Sequence, residues 1–460
     1  MNLLEKASII KIYIKNLKKS ILDLLRFLYA ITAHFLIKTL HFLKNALAAN
    51  KIDVFIILVL FFMIIVPLIF NFSSKKELET KQVSLFISPN CEDLFGSGFM
   101  EDLLLEFEEK YPDIRIRMAY DTAVKPHILF LNEGDYSIFA ADNALMELNS
   151  FTNYESGTRQ LAIPLVSFMD MLFYNIDILT AAGFDHPPKT REEFITYARA
   201  VSRGGAGAAG AAISLSSDDH HALSRDIFSW IWTAGGNFWA NGEKPSLNTR
   251  AITNDISFLG TLNRDNLLAP DIFETTGDQR VAEFAEGKTA MMIASTQAIP
   301  FLRERMGDDA FGITTVPSAG TGGRYAIGIS AIYAGISAGA DHPDEAWNFL
   351  AFLAEKSQIL CKELKAVPGL VSSIISGDYV QDDAFYSKAW DIFLASNIAE
   401  SFSGRPNAQE YEAVFLEELR IFFEEGRTAQ ATVNAIQQRW DEIGKEEETD
   451  ENIDSLDKQE

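Results

Sequence analysis

Residues 163–194 read IPLVSFMDMLFYNIDILTAAGFDHPPKTREEF and contain the most specific local pattern in the chain. Near its end, two prolines precede Thr190, and Glu193 follows three positions later. A threonine with a glutamate three residues on is typical of a capping box, in which the two side chains accept hydrogen bonds from backbone N–H groups of the first helical turn. The sequence therefore predicts that a helix begins here and continues through REEFITYARAVS.

Short apolar strands and helices alternate on both sides of this stretch. Before it, strands are predicted over 83–88, 114–120 and 127–131, with a helix in 100–112 that Pro112 ends. After it come strands within 311–317 and 326–336, a long helix over 341–364 and two final helices within 412–443. This alternation predicts an α/β fold with a mainly parallel sheet and crossover helices.

Two segments between these elements have unusual compositions. Residues 225–236 (RDIFSWIWTAGG) predict an aromatic helix that ends at a glycine pair. Residues 204–212 are almost entirely glycine and alanine, which indicates either a long flexible loop or part of a hinge.

The charge is distributed unevenly along the 460 residues. The net charge is -24, which excludes nucleic acid as a partner because phosphate binding needs a basic surface. Residues 1–53 hold nine Lys/Arg and three acidic residues, so the other 407 residues carry -30. One end suits an anionic membrane surface, and the rest suits solvent.

Residues 54–70 (VFIILVLFFMIIVPLIF) contain no charged residue and are just long enough to span a bilayer. The basic excess before them predicts a signal anchor over 54–72, with the N-terminus in the cytoplasm, a tether over 73–82 and the remainder extracytoplasmic. No small-x-small cleavage site or lipobox cysteine follows. Residues 1–53 are predicted to form a basic amphipathic helical segment at the membrane face; contact with a membrane partner and a second weak span over 27–43 are alternatives.

Neither metal nor cofactor is predicted. Cys91 and Cys361 lie far apart and are interpreted as free, and the adjacent histidines His220 and His221 lack fixed partners for a metal ion. The tail over 444–460 is rich in acidic residues without apolar periodicity, so it is predicted to be disordered.

Five segments, in order, resemble the extracellular solute-binding proteins of family 1, the maltodextrin and oligosaccharide type. They are FEEKYPDIRI, PHILFLNEGDYSIFAADNALMEL, the opening stretch, FAEGKTAMMIAS, and VPSAGTGGRYAIGISAIYAGI with PDEAWNFLAFL. The resemblance covers residues 83–443. It implies a two-lobed periplasmic-binding-protein type II fold with a hinge, in which the cleft holds a carbohydrate. It also implies that the protein is a monomer and delivers the carbohydrate to the permease subunits of an ABC importer in the cytoplasmic membrane.

The resemblance also implies a set of ligand-binding residues, most of them in loops at strand ends, where open α/β sheets bind ligands. These residues are Asn90, Glu92, Asn132, Glu133, Asp135, Phe168, Asp170, Trp230, Ser295, Gln297, Arg405 and Tyr411. Each has a simpler alternative. The tryptophan could be a core residue, the loop carboxylates could be merely solvated, and Arg405 could pair with an acidic neighbour.

The chain departs from the family pattern in three places. His127 replaces the usual aspartate, Gln297 stands where many members have a tryptophan, and about twenty residues are missing around 120–160, including a helix between the second and third strands. A lost stacking ring predicts a smaller or more polar ligand, or weaker sugar binding.

An enzyme and a tethered sensor are the two other function classes considered for this sequence. The sequence has no G-x-S-x-G, H-E-x-x-H or P-loop motif and no distinct pair of catalytic carboxylates, so an enzyme is not expected. The alternative to transport is a tethered sensor whose ligand state is detected by a membrane partner.

Overall fold

A computed structural model describes residues 80–457, with gaps at 93–94, 96, 121–124, 153–159, 206, 220, 240–243, 248–249, 320–325, 369–379 and 381. The predicted amphipathic segment and the predicted anchor lie outside the described residues, as does the predicted tether up to residue 79. Within the part that is described, no helix is long and apolar enough to cross a membrane.

Within the described ranges, ten strands form two sheets. They are β1 (Lys81–Ile87), β2 (Ile114–Ala119), β3 (Ile128–Leu131), β4 (Ala162–Asn175), β5 (Met291–Ser295), β6 (Phe311–Thr314), β7 (Ala326–Ile327), β8 (Ile329–Ile336), β9 (Val367–Pro368) and β10 (Asn397–Ile398). The main sheet has the order β2-β1-β3-β8-β4-β5, with β6 and β9 also paired to β4, and β7 pairs with β10 separately. The β2–β1–β3 part is parallel, as predicted, but β8, β5, β6 and β9 all pair antiparallel.

Fifteen α-helices occur in the part of the chain that is described. They are α1 (Pro89–Glu92), α2 (Ser97–Lys110), α3 (Glu133–Ala141), α4 (Asn149–Thr152), α5 (Ile176–Ala181), α6 (Arg191–Arg203), α7 (Ser229–Thr233), α8 (Arg250–Arg264), α9 (Gly277–Ala285), α10 (Ile299–Met306), α11 (Pro343–Glu355), α12 (Ser357–Leu364), α13 (Ala384–Ala395), α14 (Ala408–Glu425) and α15 (Ala429–Asp457).

The long strand β4 is shared by two lobes. Its residues 162–169 pair with β8, next to β3 and β1, whereas residues 170–175 pair with β5 and β6. Nearly all of its side chains are buried, because helices or strands cover both faces. We call the part built on β1–β3, β8 and the start of β4 the first lobe, and the part built on the end of β4, β5 and β6 the second lobe.

Two large apolar cores hold the unit together. One lies around β1, β3 and β8 with α2, α11 and α12, and it continues along β4 to β6 and α13. The other joins α6, α7 and α8 to α14 and α15. It is rich in aromatic rings, including Phe228, Phe238, Phe402 and Trp440, which contact one another at centroid distances of 4.6–6.2 Å.

The strand stagger explains how the first lobe dispenses with a crossover helix between β2 and β3. In its pairing with β1, β2 ends with Ala119 opposite Phe86, and β3 begins with Ile128 opposite Leu85. The chain therefore does not have to run back along a full strand length before it enters β3. A short connection across β1 is sufficient, although parallel neighbours usually need a long crossover.

The predicted helix start at residue 190 is confirmed. Thr190 caps α6, and its Oγ1 accepts a hydrogen bond from the backbone N–H of Glu193 at 3.2 Å. The Glu193 carboxylate accepts from the backbone N–H of Lys189 at 2.7 Å, one residue earlier than a standard capping box requires. The two final helices, α14 and α15, are also confirmed.

Other predicted helices differ in detail. The aromatic helix is wound as a π-helical turn over Ser224–Phe228 before α7. The long helix over 341–364 is interrupted at Lys356, which divides it into α11 and α12. α15 runs on into the tail that was predicted to be disordered, as far as Asp457. Extending an existing helix through this acidic sequence costs little, since nucleation has already occurred.

The glycine- and alanine-rich segment is not a free loop along its whole length. Ala211, Ala212 and Ile213 are buried, and single β-bridges join Ala209 to Thr289, Ala211 to Leu268 and Ala212 to Met292. Gly210 lies so close to α6 that a Cβ would come within 2.4 Å of the Ala198 carbonyl oxygen. Small side chains therefore allow this segment to pack against both α6 and β5.

Candidate functional site

A cleft of about 710 Å³ opens beside β4, and both lobes line it. The first lobe contributes Cys91, Asn132, Glu133, Gly134, Ser330, Ala331 and Ile332, and β4 contributes Phe168. The second lobe contributes Ala212, Asp218, Asp219, His221, Arg225, Asp226, Thr276, Gly277, Asp278, Arg280, Val281, Met292, Ile293, Ala294, Ser295, Gln297, Ala298 and Phe301. One part of the wall is therefore apolar and another is densely charged.

The N-terminus of α3 brings two predicted residues into the cleft. Asn132 caps this helix by accepting a hydrogen bond from the backbone N–H of Asp135 at 2.8 Å. The cap fixes the turn that presents Asn132 and Glu133 to the cleft. Asp135 turns back toward β1, where it accepts a hydrogen bond from Ser88.

His221 connects the two lobes at the charged part of the wall. Its Nε2 donates to Asp170 Oδ2 at 2.9 Å, and its Nδ1 lies 2.8 Å from Glu133 Oε2 as an ion pair rather than an aligned hydrogen bond. Burial alone would lower the pKa of His221, but attraction to Asp170 and Glu133 outweighs burial and raises that pKa well above 6.5. The imidazole is therefore a cation at neutral pH, shared by two carboxylates.

Two further residues surround Glu133. Ser403 donates a hydrogen bond to Glu133 Oε1. Glu412, on α14, is close enough that burial and the negative charge of Glu133 together raise its pKa to about 8. Glu412 thus holds a proton at neutral pH, mainly because its carboxyl group is buried and secondarily because Glu133 is negatively charged.

A second buried ion cluster lies on the second lobe. Arg225 donates from Nη2 to Asp219 at 2.9 Å and to Asp226 at 2.7 Å. Burial raises the pKa of Asp226 to about 6 against the opposing attraction of Arg225. Gly277 is required here, because a Cβ would lie 2.6 Å from both Arg225 and Asp219, and its backbone N–H donates to Asp219 at 2.9 Å.

The end of β5 places two more predicted residues in the cleft. Ser295 caps a short 3₁₀ helix over Thr296–Ala298, and its Oγ accepts from the Gln297 backbone N–H at 3.3 Å. The Gln297 side chain is exposed, so it is available to a ligand.

The structure brings together about half of the predicted ligand-binding residues. Asn132, Glu133, Phe168, Ser295 and Gln297 line the cleft, and Asp170 lies directly behind His221. Asn90 and Glu92 belong to α1, but their side chains are outside the described residues. Asp135 is directed toward Ser88 instead.

Three predicted ligand contacts lie elsewhere. Trp230 is 2% exposed and packs against Phe194 and Phe258 in the second core. Tyr411 is equally buried and its carbonyl accepts from Trp440 Nε1. Arg405 stacks over the Trp239 ring at 3.9 Å and lies 3.4 Å from Glu400, so the simpler alternative of an acidic partner is the observed one.

The sequence reasoning missed His221 and Arg225 as cleft residues. The histidine pair was weighed only as a metal site, and in the described part of the chain no group of side chains suits a metal ion. The signal that could have found Arg225 is its position next to Asp226 in an otherwise aromatic segment, since buried charges need partners. His127 lies outside the cleft, with Nδ1 2.7 Å from Ser84 Oγ.

The fold is that of sugar-binding proteins with known structures. T. maritima MalE3 with maltose bound has a TM-score of 0.62 at 16% identity, covering 79% of this chain and 99% of that one. MalE of Xanthomonas citri gives 0.64 at 15% identity, covering 81% and 99%. The cyclic alpha-maltosyl-1,6-maltose binding protein of Arthrobacter globiformis gives 0.64 at 18%, covering 79% and 99%. These similarities establish the two-lobed periplasmic-binding-protein fold.

Sequence comparison gives the family. A Brucella abortus binding protein is 22% identical over 200 residues, which are 42% of this chain and 46% of that protein, so the chain spans less than half of the curated relative's length. The model of the family described as bacterial extracellular solute-binding protein matches residues 93–359, more than half of the chain. Members of this family bind solutes and are not enzymes, and this chain belongs to it.

Proposed function

We propose that the chain is a membrane-anchored, extracytoplasmic binding protein that captures a carbohydrate in its cleft and delivers it to an ABC importer. The main support is the cleft of about 710 Å³, which lies beside a strand shared by both lobes and is lined by amide, hydroxyl and carboxylate side chains. Such groups are the partners that sugar hydroxyls need, and the volume suits a small ligand. The maltose bound to T. maritima MalE3 supports the same class.

The ligand class is tested by a thermal-shift screen of the full-length protein against sugars, oligosaccharides, polyols and amino acids. A ligand at 100 times its dissociation constant should add about 2.7 kcal/mol of stability. Stabilisation by at least one carbohydrate is the expected result. No response to any carbohydrate would contradict the proposal.

Filling the cleft should abolish that response. Ala298 lines the cleft and is partly exposed, so Ala298→Trp should place an indole in the ligand volume and remove the ligand-induced shift in melting temperature. Ala431→Trp, on an exposed position of α15, is the matched control and should retain the shift. If both variants respond like the parent protein, the cleft is not the binding site.

The proposed anchor can be tested by cysteine labelling in intact cells. Cys91 and Cys361 are both buried in the folded protein, so they should contribute little background. A cysteine introduced as Ser74→Cys should react with a membrane-impermeant maleimide, and one introduced as Ser8→Cys should react only after lysis. The reverse pattern, or equal labelling of both, would exclude the proposed topology.

A further inference from the structure

Each cationic side chain in the described wall of the cleft is already paired with an acidic residue of the protein. Among the described residues that line it, the cations are His221, Arg225 and Arg280. Arg225 is bound by two aspartates, and His221 lies between two carboxylates. Arg280 donates to Glu283 at 2.7 Å and to the backbone carbonyls of Ile213 and Pro270.

The carboxylates, in contrast, are in excess. Glu133 and Asp170 share one imidazolium, which leaves one negative charge over. Asp218 and Asp278 line the cleft with exposed side chains, and no ion pair joins either of them to another described residue.

Polar atoms at this end are also left without aligned partners. Glu133 Oε2 lies in the cleft wall, is shielded from solvent and makes no hydrogen bond of good geometry. The hydroxyl of Ser330, also in the wall, is buried without a hydrogen-bond partner. A buried hydroxyl without a partner is costly, so a ligand that hydrogen-bonds to Ser330 is favoured, and Glu133 Oε2, whose close contact is the ion pair with His221 at 2.8 Å, can accept a further hydrogen bond.

We infer that the cleft takes a carbohydrate that carries a protonated amine, with the ammonium group directed at Glu133, and that it rejects acidic sugars. This inference rests on the proposed carbohydrate function and makes it more specific. An ammonium group offers three donors and forms charge-assisted hydrogen bonds to a carboxylate. A ligand carboxylate or phosphate would face Glu133, Asp218 and Asp278 with every nearby cation already engaged. The apolar wall, including Met292 and Ile332, receives the C–H face of the ring.

The test is a titration series on the full-length protein with sugars that differ only in charge: glucosamine, glucose and glucuronate, each as the monosaccharide and as its β-1,4-linked dimer. The amine form should bind about tenfold more tightly than the neutral form, and the acidic form should not bind measurably. Equal affinity for amine and neutral forms, or tighter binding of the acid, would overturn the inference and leave the carbohydrate function intact. Failure of every sugar would instead remove the proposed function itself.

Two variants make the test specific to the charged wall. Glu133→Gln should reduce the ratio of amine to neutral affinity at least about fivefold, whereas Glu363→Gln, on an exposed position of α12, should leave the ratio unchanged. Because Glu133 also contacts His221, Asp278→Asn at the exposed start of α9 is the second variant; it should lower amine affinity about threefold at low salt and less at high salt. A ratio unaffected by both cleft variants overturns the assignment. So does binding of a simple diamine without binding of any amino sugar.

Discussion

Replacing His221 with leucine should lower the free energy of unfolding by about 3–5 kcal/mol, because removing one partner of a buried ion pair leaves uncompensated charge. The side chain is 17% exposed and its partner Asp170 is fully shielded from solvent. Without the imidazolium, Asp170 and Glu133 would face each other as like charges. Urea unfolding of the parent and variant proteins measures the difference.

The pH dependence of this loss has a definite sign. The pKa of His221 is raised on folding, so its stabilisation is complete below about pH 6.5 and is lost as the pH rises through the higher folded value. Glu412, with its pKa raised to about 8, also loses stabilising protonation as the pH rises from about 4.5 to 8. The parent protein should therefore weaken as the pH rises above about 4.5 through Glu412 and above about 6.5 through His221, and the gap between parent and His221→Leu should narrow as the pH passes the raised pKa of His221.

A matched histidine provides the control. His186 is 51% exposed and lies 3.9 Å from Asp185, so His186→Leu should change stability by less than about 1 kcal/mol at any of these pH values. If His221→Leu behaves like His186→Leu, the lobes are not joined by the buried ion pair.

Replacing Arg191 with methionine should cost about 3–5 kcal/mol as well. Arg191 Nη1 lies 2.6 Å from Asp255 Oδ1, both side chains are at most 6% exposed, and Arg191 also donates to the Trp230 carbonyl. Burial raises the pKa of Asp255 to about 6 even with Arg191 beside it. A lone Asp255 carboxylate would therefore have to take up a proton, so the variant should regain stability on acidification toward pH 5.

A partly exposed ion pair joins the same region of α6 and α8 and can be compared with the buried pair Arg191–Asp255. Arg199 on α6 pairs with Asp265, just after α8, at 2.5 Å, with side chains about one-third exposed. Arg199→Met should cost less than about 1 kcal/mol. The double variant Arg191→Met/Asp255→Leu should recover much of the loss, because apolar replacement of both partners removes the unpaired charge. Equal losses for Arg191→Met and Arg199→Met would contradict the dominant role of burial.

Local signals in the sequence predicted much of the fold. The Thr190 cap, the strands near 83, 114 and 127, and the last two helices each depend on neighbours within a few residues. The stagger between β2 and β3 could not be predicted from local sequence, because it depends on how both strands pair with β1. The missing crossover helix was therefore visible in the sequence, but the way the fold accommodates its loss was not.

The candidate site was predictable only in part, for the same reason. The prediction from loops after strands selected Asn132, Glu133 and Ser295, and the structure places all three in the cleft wall, since chain topology brings strand ends together. The pairing of His221 with residues 51 and 88 positions away depends on tertiary contacts that no local pattern encodes. Trp230 was predicted to contact the ligand, but it is buried against Phe194 and Phe258. These two rings lie on other helices, so the sequence around Trp230 did not reveal the contact.

The pairing partner of β4 changes next to the ion pair that joins the two lobes. Asp170 is the first residue of β4 that pairs with β5, immediately after the last pair with β8 at Met169. His221 therefore hydrogen-bonds to β4 at the residue where the pairing of this strand passes from the first lobe to the second. A ligand that drew Glu133 away from His221 would weaken the ion pair at this position of β4, so we expect the charge of the bound solute to affect how firmly the two lobes are held together.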